Sequence, residues 1–140
     1  MQGLSDIEKL VVLIVEDHPA VRDSIERVVE QWPNVEILSA DNFFSAAIWI
    51  NALARLDLLL CDVCLPGQMN GIDVANVAVA THPSAAVVIF SADQRSDIEN
   101  MRDSFSFIQK PFDSKQFIAH IDKAFCHLHA KSDLVAFSAV

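Results

Sequence analysis

The sequence predicts an α/β domain, a doubly wound parallel sheet with helices on both faces. Three observations point to this fold class: apolar runs of strand length recur five times, helical segments separate them, and 140 residues suffice for one domain with a buried core. Strands that alternate with helices build a parallel sheet covered on both faces. The runs are residues 10–15 (LVVLIV), 35–40 (VEILSA), 57–61 (DLLLC), 86–90 (AVVIF) and 105–109 (FSFIQ).

The segments between the runs have the apolar spacing of helices. In residues 19–32 the apolar side chains fall on one stripe, and Pro19 suits the first turn of a helix that Asp17 or His18 would cap. The last segment also places its large apolar residues on one face. The other predicted helices span residues 42–54, 70–81, 94–102 and 114–129.

Composition limits the function classes. A net charge of −9 argues against sequence-independent DNA binding, which needs clustered Lys and Arg. The apolar run 10–15 is too short to span a bilayer, residues 1–9 lack the pattern of a secretory signal, and three cysteines form no disulfide framework. We therefore expect a cytoplasmic domain over residues 10–129, with a lead-in of residues 1–9 and a tail of residues 130–140, that binds neither nucleic acid nor membrane.

Polar residues follow the predicted strands where they end. Right-handed crossovers bring the carboxyl ends of all strands to one edge of the sheet, where open α/β sheets hold their ligands. Asp62 ends the third run, and burial of a lone carboxylate is costly unless it is paired, metal-bound or solvated. Singly, each such residue also suits a helix start, a turn or a solvated surface. The whole set comprises Glu16, Asp17, Asp62, Ser91 and Lys110.

The chemistry of this set favours a metal ion and a phosphoryl group. Three carboxylates at one edge repel one another unless a cation lies among them. Their donors are oxygens only, which suits Mg²⁺ (or Mn²⁺) better than zinc. Lys110 and the hydroxyl of Ser91 would donate hydrogen bonds to a phosphoryl group beside that ion. The set therefore predicts a metal-assisted phosphoryl site.

Four sequence motifs carry a resemblance to a known family: VVLIVED, LLLCDVCLPGQMNGID, VVIFSAD and FIQKPF. In this order they resemble the receiver domain of two-component response regulators, the CheY-like superfamily, over nearly the whole chain. The resemblance implies a flavodoxin-like (βα)5 fold with strand order 2-1-3-4-5. It also implies a signalling domain that is no conventional enzyme, with a histidine kinase or a histidine phosphotransfer protein as its partner.

The resemblance assigns roles to residues of the site. Asp62 would be the phosphoacceptor, and Lys110 would pair with the acyl phosphate. The bond between Lys110 and Pro111 would be cis. The ligands of Mg²⁺ would be Glu16, Asp17, the Asp62 carboxylate and the backbone carbonyl of Cys64.

The resemblance also implies a conformational switch. Phosphorylation adds about −1.5 to −2 charge and three acceptor oxygens. Ser91 would swing inward to hydrogen-bond one of them, which vacates space for Phe107, at a position where the family usually carries Tyr or Phe. Because the chain contains no Tyr, side-chain packing alone would transmit the change. Residues that flank the site are Ala92, Asp93 and Pro111.

The chain departs from the family between Ser91 and Lys110. Only 18 residues separate them, which is short for the family, and the usual Gly-Ala step before the fifth strand is missing. Within segment 94–102 only Ile98 and Met101 offer apolar anchors. We therefore expect at most two helical turns there, the least order in the domain, and a changed output and dimer face.

Three alternative readings stay open. Cys61 and Cys64 form a C-x-x-C pair, but with Cys61 in a strand and Asp62 between them we expect neither a redox nor a metal role. An aspartyl-nucleophile phosphatase of the haloacid dehalogenase type would need an acid where the chain has Cys64. A non-phosphorylated receiver could serve as a docking module only. The histidines predicted as surface or capping residues are His18, His82 and His120.

The tail of residues 130–140 contains no DNA-binding helix pair and no room for an output domain. The sequence therefore leaves two possibilities for output. Either the chain signals by protein contact alone, or it is the receiver part of a longer regulator.

Overall fold

The computed structural model describes the backbone of residues 9–131 and the side chains of residues 9–124. Strands and α-helices alternate along the chain as predicted, except between the fourth and fifth strands. The strands are β1 (Leu10–Val15), β2 (Val35–Ala40), β3 (Leu58–Asp62), β4 (Ala86–Ser91) and β5 (Ser106–Gln109). The α-helices are α1 (Pro19–Val29), α2 (Phe43–Ala52), α3 (Gly71–Thr81) and α4 (Ser114–Lys131).

The five strands form one parallel sheet in the order β2-β1-β3-β4-β5. This topology confirms the predicted fold class and strand order. The register aligns the strand ends, since Val15 pairs with Ala40 on one side and Cys61 on the other, and Asp62 pairs with Phe90. All strands therefore end at one side of the sheet, which we call the carboxyl edge.

Alternate residues of the strands bury two apolar cores, one on each face of the sheet. In β3, Leu58 and Leu60 pack with residues of α1 and α4, whereas Leu59 and Cys61 pack with residues of α2 and α3. All four are completely buried, and burial of a large aliphatic side chain stabilises the fold by about 1.5–3 kcal/mol. The strand that ends in Asp62 is therefore held from both faces.

Two of these helices are preceded by a residue whose side chain caps the first turn, and a third is not. Asn42 caps α2, and Asn70 caps α3 in a capping box with Asp73. His18 occupies the cap position of α1, but its side chain makes no capping hydrogen bond. The helix therefore begins where the cap was predicted, with His18 at the cap position, but without the predicted capping by a side chain. The helix ends at Val29, three residues before its predicted end.

The predicted α-helix over residues 94–102 is wrong, and the described chain has four α-helices rather than the five of a (βα)5 fold. The segment forms a single 3-10 turn, Arg95–Asp97, which satisfies the expectation of at most two turns. Residues 92–97 are exposed, and Ile98 and Met101 are only half-buried against the core beside α3. Two partly buried anchors do not provide the packing that a short helix needs.

The predicted boundaries at the two ends of the domain remain predictions, because residues 1–8 and 132–140 lie outside the described part of the chain. On the predicted apolar face of α4, Phe117 and Ile121 are buried; Phe125 and Leu128 lie beyond the described side chains. Among the described residues, no helix is both long enough and apolar enough to cross a membrane.

Candidate functional site

The carboxyl edge holds the buried polar residues of the domain. Among the described side chains, the buried polar or charged ones are Glu16, Asp62 and Ser91, each at most 3% exposed. They follow or end the adjacent strands β1, β3 and β4. A buried charge needs a partner to offset its lost hydration. The structure thus brings together three residues that are far apart in sequence and places them where the sequence predicts a site.

Lys110 is the cation of this site. Its Nζ donates hydrogen bonds to Oδ2 of Asp62 at 3.0 Å and to Oε1 of Glu16 at 3.3 Å. Its ammonium also lies 5.5 Å from the centre of the Phe90 ring. Burial alone would lower the pKa of Lys110, but the hydrogen bond and charge of Asp62 and the charge of Glu16 outweigh it and raise this pKa above its ordinary value. Lys110 therefore stays charged and bridges the two buried carboxylates.

The acidic pair after β1 is fixed by its own loop and by α1. Arg22 donates a hydrogen bond from its guanidinium to the carbonyl of Glu16 at 2.7 Å. Burial raises the pKa of Glu16 above its ordinary value; the hydrogen bond from the His18 N–H opposes this rise, and the Asp62 charge adds to it. Oδ1 of Asp17 is buried and has no hydrogen-bond partner among the described residues. An oxygen of this kind beside a second carboxylate fits a divalent cation.

The side chains whose possible metal-ligand atoms lie closest together are not the same as the predicted metal ligands. Within the described residues, the compact group of possible ligands is Glu16, Asp17 and His18, whose donor atoms all lie within 4.8 Å of one another. Asp62 is held instead by Lys110 and by the backbone N–H of Cys64, which donates to its Oδ1 at 3.2 Å. The assignment of Asp62 and the Cys64 carbonyl as metal ligands stays a prediction. His18 was predicted as a surface or capping residue. In the sequence, only its position directly after Glu16 and Asp17 indicates that it lies beside the acidic pair.

The chain after β3 passes closely beneath Asp62. The Val63 N–H donates to the Phe90 carbonyl at 3.1 Å, and the Gly71 N–H donates to the Val63 carbonyl at 2.8 Å. A Cβ on Gly71 would overlap the carbonyl of Asp62, whose carbon would be 2.7 Å away. Only glycine permits this approach of α3 to the end of β3.

The two cysteines near Asp62 are both free thiols with opposite surroundings. Cys61 lies buried in β3, and its Sγ donates to the Asp62 carbonyl at 3.3 Å. Burial raises the pKa of the Cys61 thiol well above its ordinary value, and the charges of Asp62 and Glu16 add to this effect. Cys64 is exposed in the following loop. Neither thiol forms a disulfide, and the expectation that the pair has no redox or metal role stays a prediction.

Ser91 and its neighbours line the other side of the site. Oγ of Ser91 accepts a hydrogen bond from the Asp93 N–H at 3.1 Å, and the Lys110 N–H donates to the Ser91 carbonyl at 2.7 Å. Phe107 is half-buried against the core on the α3 side. Ala92 and Asp93 are exposed. Their predicted roles in a switch or in tuning the site remain predictions.

The loop after β5 completes the site. The peptide bond between Lys110 and Pro111 is cis, as the resemblance implied. Beside Lys110 a cleft of about 670 Å³ opens between α1 and this loop. Its apolar walls include Val21, Ile25, Val28, Phe112 and Phe117.

Sequence comparison places this site in a family. The family described as response regulator receiver domain matches residues 12–122. The transcriptional regulatory protein MalR of Bacillus subtilis strain 168 is 28% identical over 109 residues, which cover 76% of this chain and 46% of MalR. The DNA-binding transcriptional regulator NtrC of Escherichia coli strain K12 is 27% identical over 128 residues, which cover 86% of this chain and 26% of NtrC. The chain thus spans less than half the length of these relatives.

Solved structures share the fold. The crystal structure of a response regulator receiver protein from Sinorhizobium medicae WSM419 has a TM-score of 0.78 at 19% identity, covering 87% of this chain and 98% of that one. A CheY-like receiver domain from Methanospirillum hungatei JF-1 has a TM-score of 0.77 at 19% identity, covering 89% and 99%. Since the family match contains the whole carboxyl edge, we conclude that this chain belongs to the family of response regulator receiver domains, the signalling domains of two-component systems.

Proposed function

We propose that this receiver domain accepts a phosphoryl group on Asp62 from a phosphohistidine of a histidine kinase or a histidine phosphotransfer protein. The observation that carries the proposal is the contact of 3.0 Å between Nζ of Lys110 and Oδ2 of Asp62, a carboxylate only 3% exposed. A buried acid with a fixed cationic partner at the ligand-binding edge of an α/β sheet is the arrangement expected of a reactive carboxylate.

The proposed reaction is a transfer between two residues. An oxygen of Asp62 bonds to phosphorus while the N–P bond of the donor breaks, and the imidazole leaves with the bonding electrons and takes up a proton. Lys110 already contacts the acceptor carboxylate and would pair with the added negative charge. In-line attack of water later breaks the O–P bond and restores the carboxylate. The domain thus assists its own phosphorylation and dephosphorylation and is not a conventional turnover enzyme.

The residues present fit a divalent ion, Mg²⁺ or Mn²⁺. We propose Glu16, Asp17, Asp62 and the backbone carbonyl of Cys64 as its ligands. The support is the buried Glu16, the buried Asp17 oxygen without a hydrogen-bond partner, and the hydrogen bond by which Arg22 fixes the backbone of this pair. When bound, such an ion neutralises charge on phosphoryl oxygens and helps to orient the group.

We further propose that Ser91 and Phe107 form the switch. Asp93 donates its N–H to Oγ of Ser91, so the hydroxyl hydrogen of Ser91 remains available to donate to a phosphoryl oxygen. Movement of this side chain toward the phosphoryl group would open space near Phe107, which is half-buried on the adjacent strand. The described chain after β4 has one 3-10 turn and exposed residues, which leaves it free to follow such a movement.

The output of the switch is proposed to be a protein contact. MalR and NtrC are named as transcriptional regulators, and each is more than twice as long as the part that this chain matches. With a net charge of −9 the chain itself is poorly suited to nucleic acid. We propose that it acts on an output domain or on a separate downstream protein.

Labelling by a small phosphodonor tests the function. Incubation of the chain with acetyl phosphate and Mg²⁺ should add one phosphoryl group, visible as a single mass increment, and Asp62→Asn should abolish it. Asp93→Asn is the matched control, because it removes an exposed flanking acid and should leave the label in place. Undiminished labelling of Asp62→Asn would refute Asp62 as acceptor. A wild-type chain that neither takes the label nor binds beryllofluoride would instead favour the docking module.

A further inference from the structure

The aromatic ring of Phe90 lies beneath the ammonium group of Lys110. Phe90 pairs with Asp62 across the two central strands, and its side chain is completely buried. The ammonium nitrogen of Lys110 lies over the ring, 5.5 Å from its centre. A cation within about 6 Å of a ring centre is attracted by the negative face of the ring. This attraction grows as water is excluded, and only 25% of the Lys110 side chain is exposed.

Two further aromatic rings fix the orientation of Phe90. Its ring meets that of Phe112 nearly at a right angle, with 6.1 Å between the ring centres. It meets the ring of Phe117 in the same way at 6.5 Å, and Phe112 and Phe117 stack on each other at 5.2 Å. Aromatic pairs prefer these stacked and edge-to-face arrangements. The face that Phe90 presents to Lys110 is therefore held from β4, from the loop after β5 and from α4.

The ring differs from the carboxylates that hold Lys110. Asp62 and Glu16 accept its hydrogen bonds at 3.0 Å and 3.3 Å and attract it through their charge. This attraction weakens when the same oxygens also bind a divalent ion, or when an oxygen of Asp62 bonds to phosphorus. The attraction of the ring face does not depend on the charge of either carboxylate. Phe90 is thus a partner that Lys110 keeps throughout the proposed reaction.

We propose that Phe90 is a positioning residue, whose ring face keeps the ammonium of Lys110 beside Asp62 during phosphoryl transfer. This inference rests on the proposed phosphorylation of Asp62. An aliphatic side chain could fill the same space in the core, but it has no negative face to attract a cation. At a partly buried site the attraction corresponds to about a two- to tenfold change in an equilibrium constant or a rate.

Fluorination of the ring tests the proposal with little change of shape. Fluorine atoms withdraw electrons from the ring and weaken its negative face. Replacement of Phe90 by trifluorophenylalanine should slow the labelling of Asp62 by acetyl phosphate and Mg²⁺ about two- to tenfold, and monofluorophenylalanine should give an intermediate rate. The matched control is trifluorophenylalanine at Phe105, a buried ring in the other core that lies under Arg102 at 5.7 Å. It should leave the rate unchanged.

A stability cycle without divalent metal measures the contact independently of labelling. Urea unfolding compares Phe90 with trifluorophenylalanine in the wild-type chain and in Lys110→Met. Fluorination should raise the equilibrium constant of unfolding about two- to tenfold more in the wild-type chain, because only that chain carries the cation. Effects of fluorine on the neighbouring rings are common to both chains and cancel. Equal changes in the two chains would overturn the proposal.

The two measurements together separate this inference from the proposed function. If the wild-type chain takes the label and fluorination of Phe90 leaves its rate unchanged, only the positioning role is refuted. An unchanged rate together with a clear stability coupling would mean that the ring stabilises the fold alone, which also refutes that role. If the wild-type chain takes no label while the coupling to Lys110 persists, the proposed function fails, and the positioning role in transfer falls with it.

Discussion

Two connections leave the carboxyl edge on either side of the site, and they are built differently. The chain after Asp62 is tied back to the sheet by hydrogen bonds from Val63 and Gly71, and it ends in the capped helix α3. The chain after Ser91 makes one 3-10 turn and then runs along the surface. Its ion pair, between Arg95 and Asp103 at 3.4 Å, joins two exposed groups, and such pairs stabilise little.

This difference separates two tasks. Asp62, the proposed acceptor, would have to keep its position relative to Lys110 and the acidic pair, and the backbone around β3 permits little movement because it is buried on both faces. The segment after Ser91 has few buried contacts, so its opening free energy is low. We call the chain around Asp62 the rigid side and residues 92–104 the loose side. Under the proposed function, a charge added on the rigid side would be transmitted by movement on the loose side.

The largest expected effect comes from breaking the rigid connection. Gly71→Ala should lower the free energy of unfolding by about 4 kcal/mol or more, or prevent folding, because its Cβ would overlap the backbone of Asp62 and Val63. Urea unfolding measures the change. Gly67→Ala is the control: this glycine has a φ of 95° but open space around it, so only about 1 kcal/mol should be lost. Equal effects in the two variants would contradict the tight approach.

Removal of the cation should have the next largest effect. Without divalent metal, Lys110→Met should lower the free energy of unfolding by about 3 kcal/mol, because Glu16 and Asp62 would face each other without a neutralising charge. Mg²⁺ should recover part of this loss. Lys115→Met, at an exposed position near the start of α4, is the matched control and should change stability by less than about 0.5 kcal/mol. A wild-type stability for Lys110→Met would show that water already screens the pair.

Binding of Mg²⁺ should change the free energy of unfolding by somewhat less than the Lys110→Met substitution does. At 100 times its dissociation constant, Mg²⁺ should add about 2.7 kcal/mol to the free energy of unfolding. Thermal melts with and without Mg²⁺ measure it. Asp17→Ala should remove the stabilisation by Mg²⁺. Asp103→Ala, which removes an exposed acid outside the ligand group, is the control and should keep this stabilisation. An unchanged response in Asp17→Ala would argue against the acidic pair.

Shortening a side chain in the segment after Ser91 should lower the free energy of unfolding less than shortening one in the core against which this segment packs. Ile98→Ala should lower the free energy of unfolding by about 1 kcal/mol, since Ile98 is half-buried and its surroundings can relax. Ile89→Ala in β4, which is fully buried in the same core, should cost about 2–5 kcal/mol. Similar losses at the two positions would mean that the segment is anchored as firmly as a strand.

Amide hydrogen exchange measures the free energies of local opening, which are smaller than the free energy of global unfolding. Residues 93–104 should exchange far faster than β4, because the segment lacks helical hydrogen bonds beyond the turn Arg95–Asp97. Beryllofluoride with Mg²⁺ should change exchange there more than in β3. Strong protection in both states, equal to that of β4, would refute the proposed role of this segment.

The sequence predicts the fold well where apolar periodicity decides the structure. The bounds of β1 and β2 agree with the prediction. The strands β3 and β5 begin one residue later than predicted, and β3 and β4 end one residue later, at Asp62 and Ser91. These polar residues were placed after the strands because hydropathy alone cannot show that the parallel ladder continues through them. The predicted helix over residues 94–102 is absent because its two apolar anchors, Ile98 and Met101, are only half-buried.

The site was predictable from the order of its residues along the chain, but its contacts were not. That Asp62 and Lys110 meet at one edge follows from parallel topology. That Lys110 also contacts Glu16, and that the His18 ring turns toward Asp17, depends on rotamers that no spacing rule fixes. The sequence therefore predicts oxygen donors at the metal site, but it does not predict that the imidazole nitrogen of His18 lies beside them.

The parallel arrangement has a further electrostatic consequence. Since each α-helix runs antiparallel to its strand, all four α-helices begin at the carboxyl edge, at Pro19, Phe43, Gly71 and Ser114. The N-terminus of a helix carries a partial positive charge of about half an elementary unit from its aligned peptide dipoles. The edge that gathers the acidic side chains is thus also where the backbone potential is most positive. A dianionic group that arrives there enters a field created by the fold itself, which persists when any single side chain is replaced.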